Sequence, residues 1–158
     1  MDGYQLFSLV PWAVFLPVAG LLLNLLIGKR LGEKGIGLIA VLGCGLPFVI
    51  SVLLAVALKN HPEAVIVPLA DWITVGEFNL SWAFRVDTLA VTMMLVVTGV
   101  GTLIHIYATG YMHSDVRHNG DLARYRRFFV YFNLFIVAML ILVTADNFLM
   151  LFVGWEGV

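Results

Sequence analysis

The chain has 158 residues, of which 61% are hydrophobic and 12% charged, with a mean hydropathy of +0.99. A soluble domain holds roughly 45–50% apolar and about 25% charged residues, so this composition excludes one and indicates a polytopic membrane protein. A formal net charge of −1 argues against a nucleic-acid partner, and one cysteine, Cys44, within an apolar run, excludes an intrachain disulfide framework and a thiolate metal centre.

In chain order, Leu6–Gly28 carries no charge and is long enough to span a bilayer. Acidic Asp2 before it and Lys29-Arg30 after it do not fit a cleavable signal peptide. Pro17 predicts a kink. Lys29–Lys34 reads as a short basic turn, and Gly35–Leu58 as a second span, in which Gly43 and Gly45 permit close helix packing and Pro47 predicts a bend. In the extramembrane segment Lys59–Arg85 the period changes. Phe78, Leu80, Trp82 and Phe84 alternate with Asn79, Ser81, Ala83 and Arg85, the pattern of a strand with one apolar face. Trp72–Val75 supplies a partner strand and Gly76-Glu77 a type II′ turn, so residues 65–85 contain a β-hairpin lying on the membrane surface, with Trp72 and Trp82 at headgroup level.

A third span, Val86–Tyr107, begins at Asp87. His105 lies about 27 Å further along a helix, close to the opposite interface. Imidazole titrates near neutrality, so a proton path is one reading of His105; a partly hydrated His near a helix end is the preferred one. Met112–Arg127 reads as a polar loop, with His113 and His118, like His61 earlier, solvated. The fourth span is Phe128–Val143, the chain turns at Thr144–Asn147, which includes Asp146, and a terminal apolar run, Asn147–Val158, begins a fifth span. The fold class is therefore all-α and polytopic, with four full transmembrane helices, the start of a fifth, and an external hairpin between helices 2 and 3.

The terminal run carries one carboxylate, Glu156. Nine residues from Asn147 lift it roughly 13 to 14 Å, near the middle of a ~30 Å hydrocarbon core. An ionised group there costs about 2.5–3.5 kcal/mol, so an acid at that depth is a functional-site candidate; a Glu bonded to a neighbouring helix or snorkelling is the structural alternative. Lys29, Arg30, Lys34 and four arginines in Met112–Arg127 place those loops on the cytoplasmic side. The amino terminus, hairpin and Asp146 are then external. No Gly-rich phosphate loop, paired metal ligands, facing haem histidines or Ser-His-Asp set is present, so no redox chemistry or cofactor is expected of this chain, and translocation or its support remains.

Gly154-Trp155-Glu156-Gly157-Val158, with Ala145-Asp146-Asn147-Phe148-Leu149 before it, resembles the fifth-helix signature of the antiporter-like membrane subunits of respiratory NADH:quinone oxidoreductase, that is, subunit L and its mitochondrial chain 5 counterpart. His105–Met112, Arg127–Tyr131 and Val75–Asn79 resemble that subunit as well. The resemblance implies inverted repeats with a proton path at mid-membrane depth, and it carries the path's glutamate onto Glu156, with His105, Asp146 and Asp87 as further candidates. It divides the chain into an amino-terminal membrane region, 1–126, and the start of the antiporter-like module, 127–158. It implies the other membrane subunits of the complex, lipid and protons as partners, no cofactor in this chain, and a bacterial cell membrane or a mitochondrial inner membrane. Family members continue for several hundred residues, with the lysines and histidine of the channel, so these 158 residues alone are not expected to move protons. A subunit of a multisubunit cation/proton antiporter and a packing or assembly element are the alternatives.

Overall fold

The computed structural model describes residues 3–158. In order these form α1 (Gly3–Phe7), α2 (Val10–Leu26), α3 (Gly28–Asn60), β1 (Val65–Val75), β2 (Phe78–Val86), α4 (Thr88–Asn119), α5 (Leu122–Thr144) and α6 (Phe148–Gly157). Among the described residues, four stretches are long and apolar enough to cross a membrane: Gln5–Leu26, Gly28–Asn60, Thr88–His118 and Leu122–Thr144. The chain is thus an all-α polytopic membrane protein with one small hairpin. α5 is its hub, packing against α2, α3, α4 and α6 and touching β2.

Several boundaries differ from the sequence expectation, each for a local reason. Pro17 and Pro47 lie inside α2 and α3, and the non-helical residue within α3 is Gly32, whose φ of 67° and ψ of −177° favour glycine. The expected basic turn is therefore one residue, Ile27, followed by a short helical turn up to Gly32. Met112–Arg127 is not a loop. α4 runs through His113 and His118 to Asn119, Gly120 closes it in the left-handed conformation (φ 65°), and Asp121 opens α5 by accepting a hydrogen bond from the Ala123 N–H at 2.9 Å. Arg, Met, Leu and Ala, all present in this stretch, are good helix formers, so polarity alone does not end a helix; caps do.

The hairpin is antiparallel, with Val75 paired to Phe78 across Gly76-Glu77. Gly76 has φ 60° and Glu77 does not have a positive φ, the sign pattern of a II′ turn rather than I′. β1 is longer than Trp72–Val75 because register shifts between Pro68 and Ala70 and between Asp71 and Ile73 interrupt the alternation that marks a strand in sequence. Its tip is exposed, while Ala83, Phe84 and Val86 are buried at its base. Phe84 also pairs with Ala145, which ties the hairpin to the end of α5.

The core has two parts. One unites Phe7, Val10, Leu54, Phe84, Met94, Leu140 and Met150 toward the hairpin; the other unites Ile36, Ala40, Ala108, Tyr125 and Phe129 toward the basic end. α6 docks on α5 through glycines: a Cβ on Gly154 would lie 2.6 Å from the Leu142 backbone nitrogen, and one on Gly157 would lie 2.7 Å from Ala138 Cβ. Backbone cannot yield as a flexible side chain can, so Gly154→Ala in the full-length protein is expected to lower stability by about 1–3 kcal/mol. Gly110, with open space around it, should accept alanine with a gain of up to about 1 kcal/mol. Thermal unfolding of the two variants in detergent checks the contrast.

Candidate functional site

Asn147 sets where α6 begins. Its side-chain oxygen accepts from the Met150 N–H at 2.9 Å and its amide donates to the Ser81 carbonyl at 2.9 Å, so the first turn of α6 is fastened to the hairpin. Glu156 follows Phe148 by about 12 Å of helix. Because Gly154 and Gly157 face α5, Glu156 is turned away and exposed, and among the described residues it has no ion-pair or hydrogen-bond partner.

Asp87 and Asp146 lie together at the hairpin end. Asp87 caps α4, accepting from the Ala90 N–H at 2.8 Å and from Arg85 Nε at 2.9 Å. The Ala90 bond first and the Arg85 bond second hold its carboxyl below the usual value. Arg85 is held charged by its bond to Asp87, with Asp146 adding a smaller attraction. Asp87 thus has a structural task at the mouth of the bundle, whatever else it does.

His105 is separate from this group and differs from the hydrated, helix-end residue expected. It is fully buried, and α4 continues well past it to Asn119. Its Nδ1 lies 2.7 Å from the Gly101 carbonyl and its Nε2 lies 2.9 Å from Asn133 Oδ1, while its ring stacks on Phe132 at 3.9 Å between centroids with planes 1° apart. Asn133, also fully buried, comes from the middle of α5. The far atom of its carboxamide reaches between α2 and α3, where a Cβ on Gly20 would lie 2.9 Å from it and one on Gly43 3.3 Å. Bare glycine surfaces make that room. Among the described residues, Asn133 Nδ2 and Asn24 Oδ1 are the buried side-chain polar atoms without a hydrogen-bond partner. Asn24 stands one turn beyond Gly20 on α2 and donates to the Ile36 carbonyl at 3.2 Å.

A polar seam continues from His105 toward the hairpin: Thr102 donates to the Thr98 carbonyl, Thr98 to the Met94 carbonyl, and Ser51 Oγ lies 3.4 Å from Thr98 Oγ1. The structure brings His105 to Asn133 and Asp87 to Asp146 through Arg85, and joins neither group to Glu156. Sequence reading missed Asn133, Asn24 and the Thr98 seam. The available signal was a polar residue inside a charge-free apolar run, where a side chain without an internal partner is costly.

Fold and site together define a multi-span membrane protein that carries ionisable groups, one fully buried and one on an outward face, within its apolar segments. Comparison with known proteins narrows the class. Residues 72–129 match the family described as NADH-Ubiquinone oxidoreductase (complex I), chain 5 N-terminus. The chain is 38% identical over 145 residues, 92% of its length, to NADH-ubiquinone oxidoreductase chain 5 of Podospora anserina. It is 37% identical over 152 residues, 96% of its length, to NADH-quinone oxidoreductase subunit L of Escherichia coli, and 38% identical over its whole length to subunit L of Neisseria meningitidis. Across these residues the chain is similar to the chain 5/subunit L family. It spans 21–24% of the length of these three relatives.

The Asp87 cap has a pH signature. Its folded-state pKa lies below the ordinary value of 3.8, so its stabilisation is complete above that value and is lost as pH falls through the lower, folded-state value. Asp87→Ala should cost about 1 kcal/mol at neutral pH through loss of the cap. The gap between wild type and variant, followed by thermal unfolding of the full-length protein, should close in strong acid.

Proposed function

We propose that the protein is a proton-translocating membrane subunit of an NADH:quinone oxidoreductase, with no redox centre in this chain and with Glu156 in the proton path. The observation that carries the reading is the placement of Glu156, held about 12 Å along a helix fastened at Asn147, on the face turned away from α5. A carboxyl group at such a depth is costly to keep ionised, and an approaching cation reverses the preference; pairing and unpairing then load and release a proton. The likeness to subunit L and chain 5 over nearly the whole chain supports a place in such an oxidoreductase. Electron transfer belongs to other subunits on this reading, and the exposed apolar faces, such as Phe148, Phe152 and Trp155 on α6, meet lipid or neighbouring helices. Residues 127–158 begin the antiporter-like module, His105 is a second proton-path candidate, and Asp87 and Asp146 stand at the external mouth.

The basic residues Lys29, Arg30 and Lys34, with the four arginines between Met112 and Arg127, support a cytoplasmic position for both ends they occupy, with the hairpin outside. In a Cys44→Ala background, a cysteine at Gly76 is expected to react with an impermeant thiol reagent added from outside, and one at Gly32 is not. Labelling at Gly32 alone reverses the orientation.

The acid itself is tested in the full-length protein within its assembled complex. Glu156→Gln keeps the shape and removes the proton site, so proton uptake into proteoliposomes during NADH oxidation should fall severalfold; Glu156→Asp should be milder. Pumping at the wild-type rate in an assembled Glu156→Gln complex would return Glu156 to a packing role.

A further inference from the structure

We propose that the Asn133 carboxamide turns over when His105 takes up a proton, so that ring and amide form one buried proton-binding unit. The hydrogen bonds of His105 and Asn133 require it, independently of any role of Glu156. The Gly101 carbonyl can only accept, so at 2.7 Å it fixes a hydrogen on His105 Nδ1. In a neutral ring Nε2 is then a bare acceptor, and Asn133 Oδ1, 2.9 Å away, is an acceptor too. That contact is satisfied only if Nε2 also bears a hydrogen, which makes the ring an imidazolium.

A half-turn of the amide satisfies the neutral ring instead. Oxygen and nitrogen of a carboxamide have nearly the same shape, so the same space holds either orientation. With its NH2 toward the ring, Asn133 donates to Nε2, and its oxygen enters the slot between Gly20 and Gly43. The hydrogens that a Cβ would replace on both glycines aim at that slot. They suit an oxygen, through Cα–H···O contacts, and not an NH2 group. In the charged state the NH2 group occupies the slot as a donor without a partner, on the α2 side that also carries the unpartnered acceptor Asn24 Oδ1. Each charge state thus has its own amide orientation. During the change Nε2 gains the proton and Asn133 keeps both of its own.

Little else can set the charge on the ring. α2 contributes no ionisable side chain; α3 contributes the Cys44 thiol beside Gly101, with Glu33 and Lys34 at its far end. α5 contributes the Tyr125 hydroxyl near Gly37 and Thr109, with Arg126 and Arg127 at its basic end and Tyr131 exposed. α4 itself adds the exposed Tyr107, Tyr111 and His113, the last bonded to Glu33. Glu156 on α6 faces away from α5. Asn133 is therefore the group positioned to respond to the ring.

The test is infrared difference spectroscopy of the assembled complex titrated with acid, with asparagine side chains isotope-labelled and the His105→Gln spectrum subtracted. The neutral ring is expected as the Nδ1–H tautomer, and its conversion to imidazolium should move a labelled amide carbonyl band at the same midpoint. Asn133→Asp should raise that midpoint and Asn133→Leu should lower it, each by about one pH unit, a tenfold change in proton affinity. The tautomer and the shared midpoint are read in the unsubstituted protein, so a variant that fails to assemble leaves the test intact. An Nε2–H tautomer, an amide band that stays still while the ring titrates, or a ring that never titrates would overturn the proposal.

Discussion

Asn133 reaches His105 because Gly20 and Gly43 place no side chain in its way. Gly20 and Gly43 face one another across α2 and α3, a Cβ on Gly20 falling 3.4 Å from Gly43 Cα, and α5 lies over the place where they meet. Without that close approach a buried carboxamide would have no slot, and α5 could not pack on both helices there while bonding α4 through His105. In an apolar medium each such group needs a partner inside the protein, because neither lipid nor water supplies one. The small residues and the polar pair are therefore one device: the first make room for the far atom of the carboxamide, and its near atom makes the directed bond to His105.

A similar economy operates at the hairpin end. Asn147 holds α6 with its oxygen and the hairpin with its nitrogen, Phe84 pairs with Ala145, and Arg85 neutralises Asp87. Few of these contacts are strong alone, and the exposed ion pair is worth little in isolation. Together they make the hairpin a collar on the helix ends. Its consequence is positional: Asn147, held on the hairpin, fixes where α6 starts, so an element far from Glu156 sets where that residue stands.

Much of this was legible from residues. Charge-free runs marked the four membrane-length helices, since little besides lipid tolerates twenty apolar residues in a row, and the alternation from Phe78 to Arg85 marked β2. The polar stretch from Met112 to Arg127 misled because polarity reports solvent, not backbone conformation; Gly120 and Asp121 were the residues that ended and began helices there. The bulges of β1 concealed its length by breaking the period that reveals a strand. Asn133 was silent for a different reason. A single amide in an apolar run has no periodicity, and its meaning lies in a residue twenty-eight positions away.

His105 and Glu156 are two answers to the problem of an ionisable group among apolar residues. His105 has its bonds and its stacking partner, Phe132, from the same chain, so its charge state is decided by the spans that surround it. Glu156 has no partner among the described residues and stands on the outer face of α6, beside exposed Phe152 and Trp155. That face is open to whatever covers it. A lipid tail favours the neutral acid and a cationic side chain the carboxylate, because desolvation and an opposite charge act in contrary directions. A group whose charge depends on what approaches it can exchange a proton in response to movement elsewhere. A group enclosed by its own neighbours exchanges one only when those neighbours rearrange, and the carboxamide of Asn133 is the neighbour able to do so without disturbing the packing.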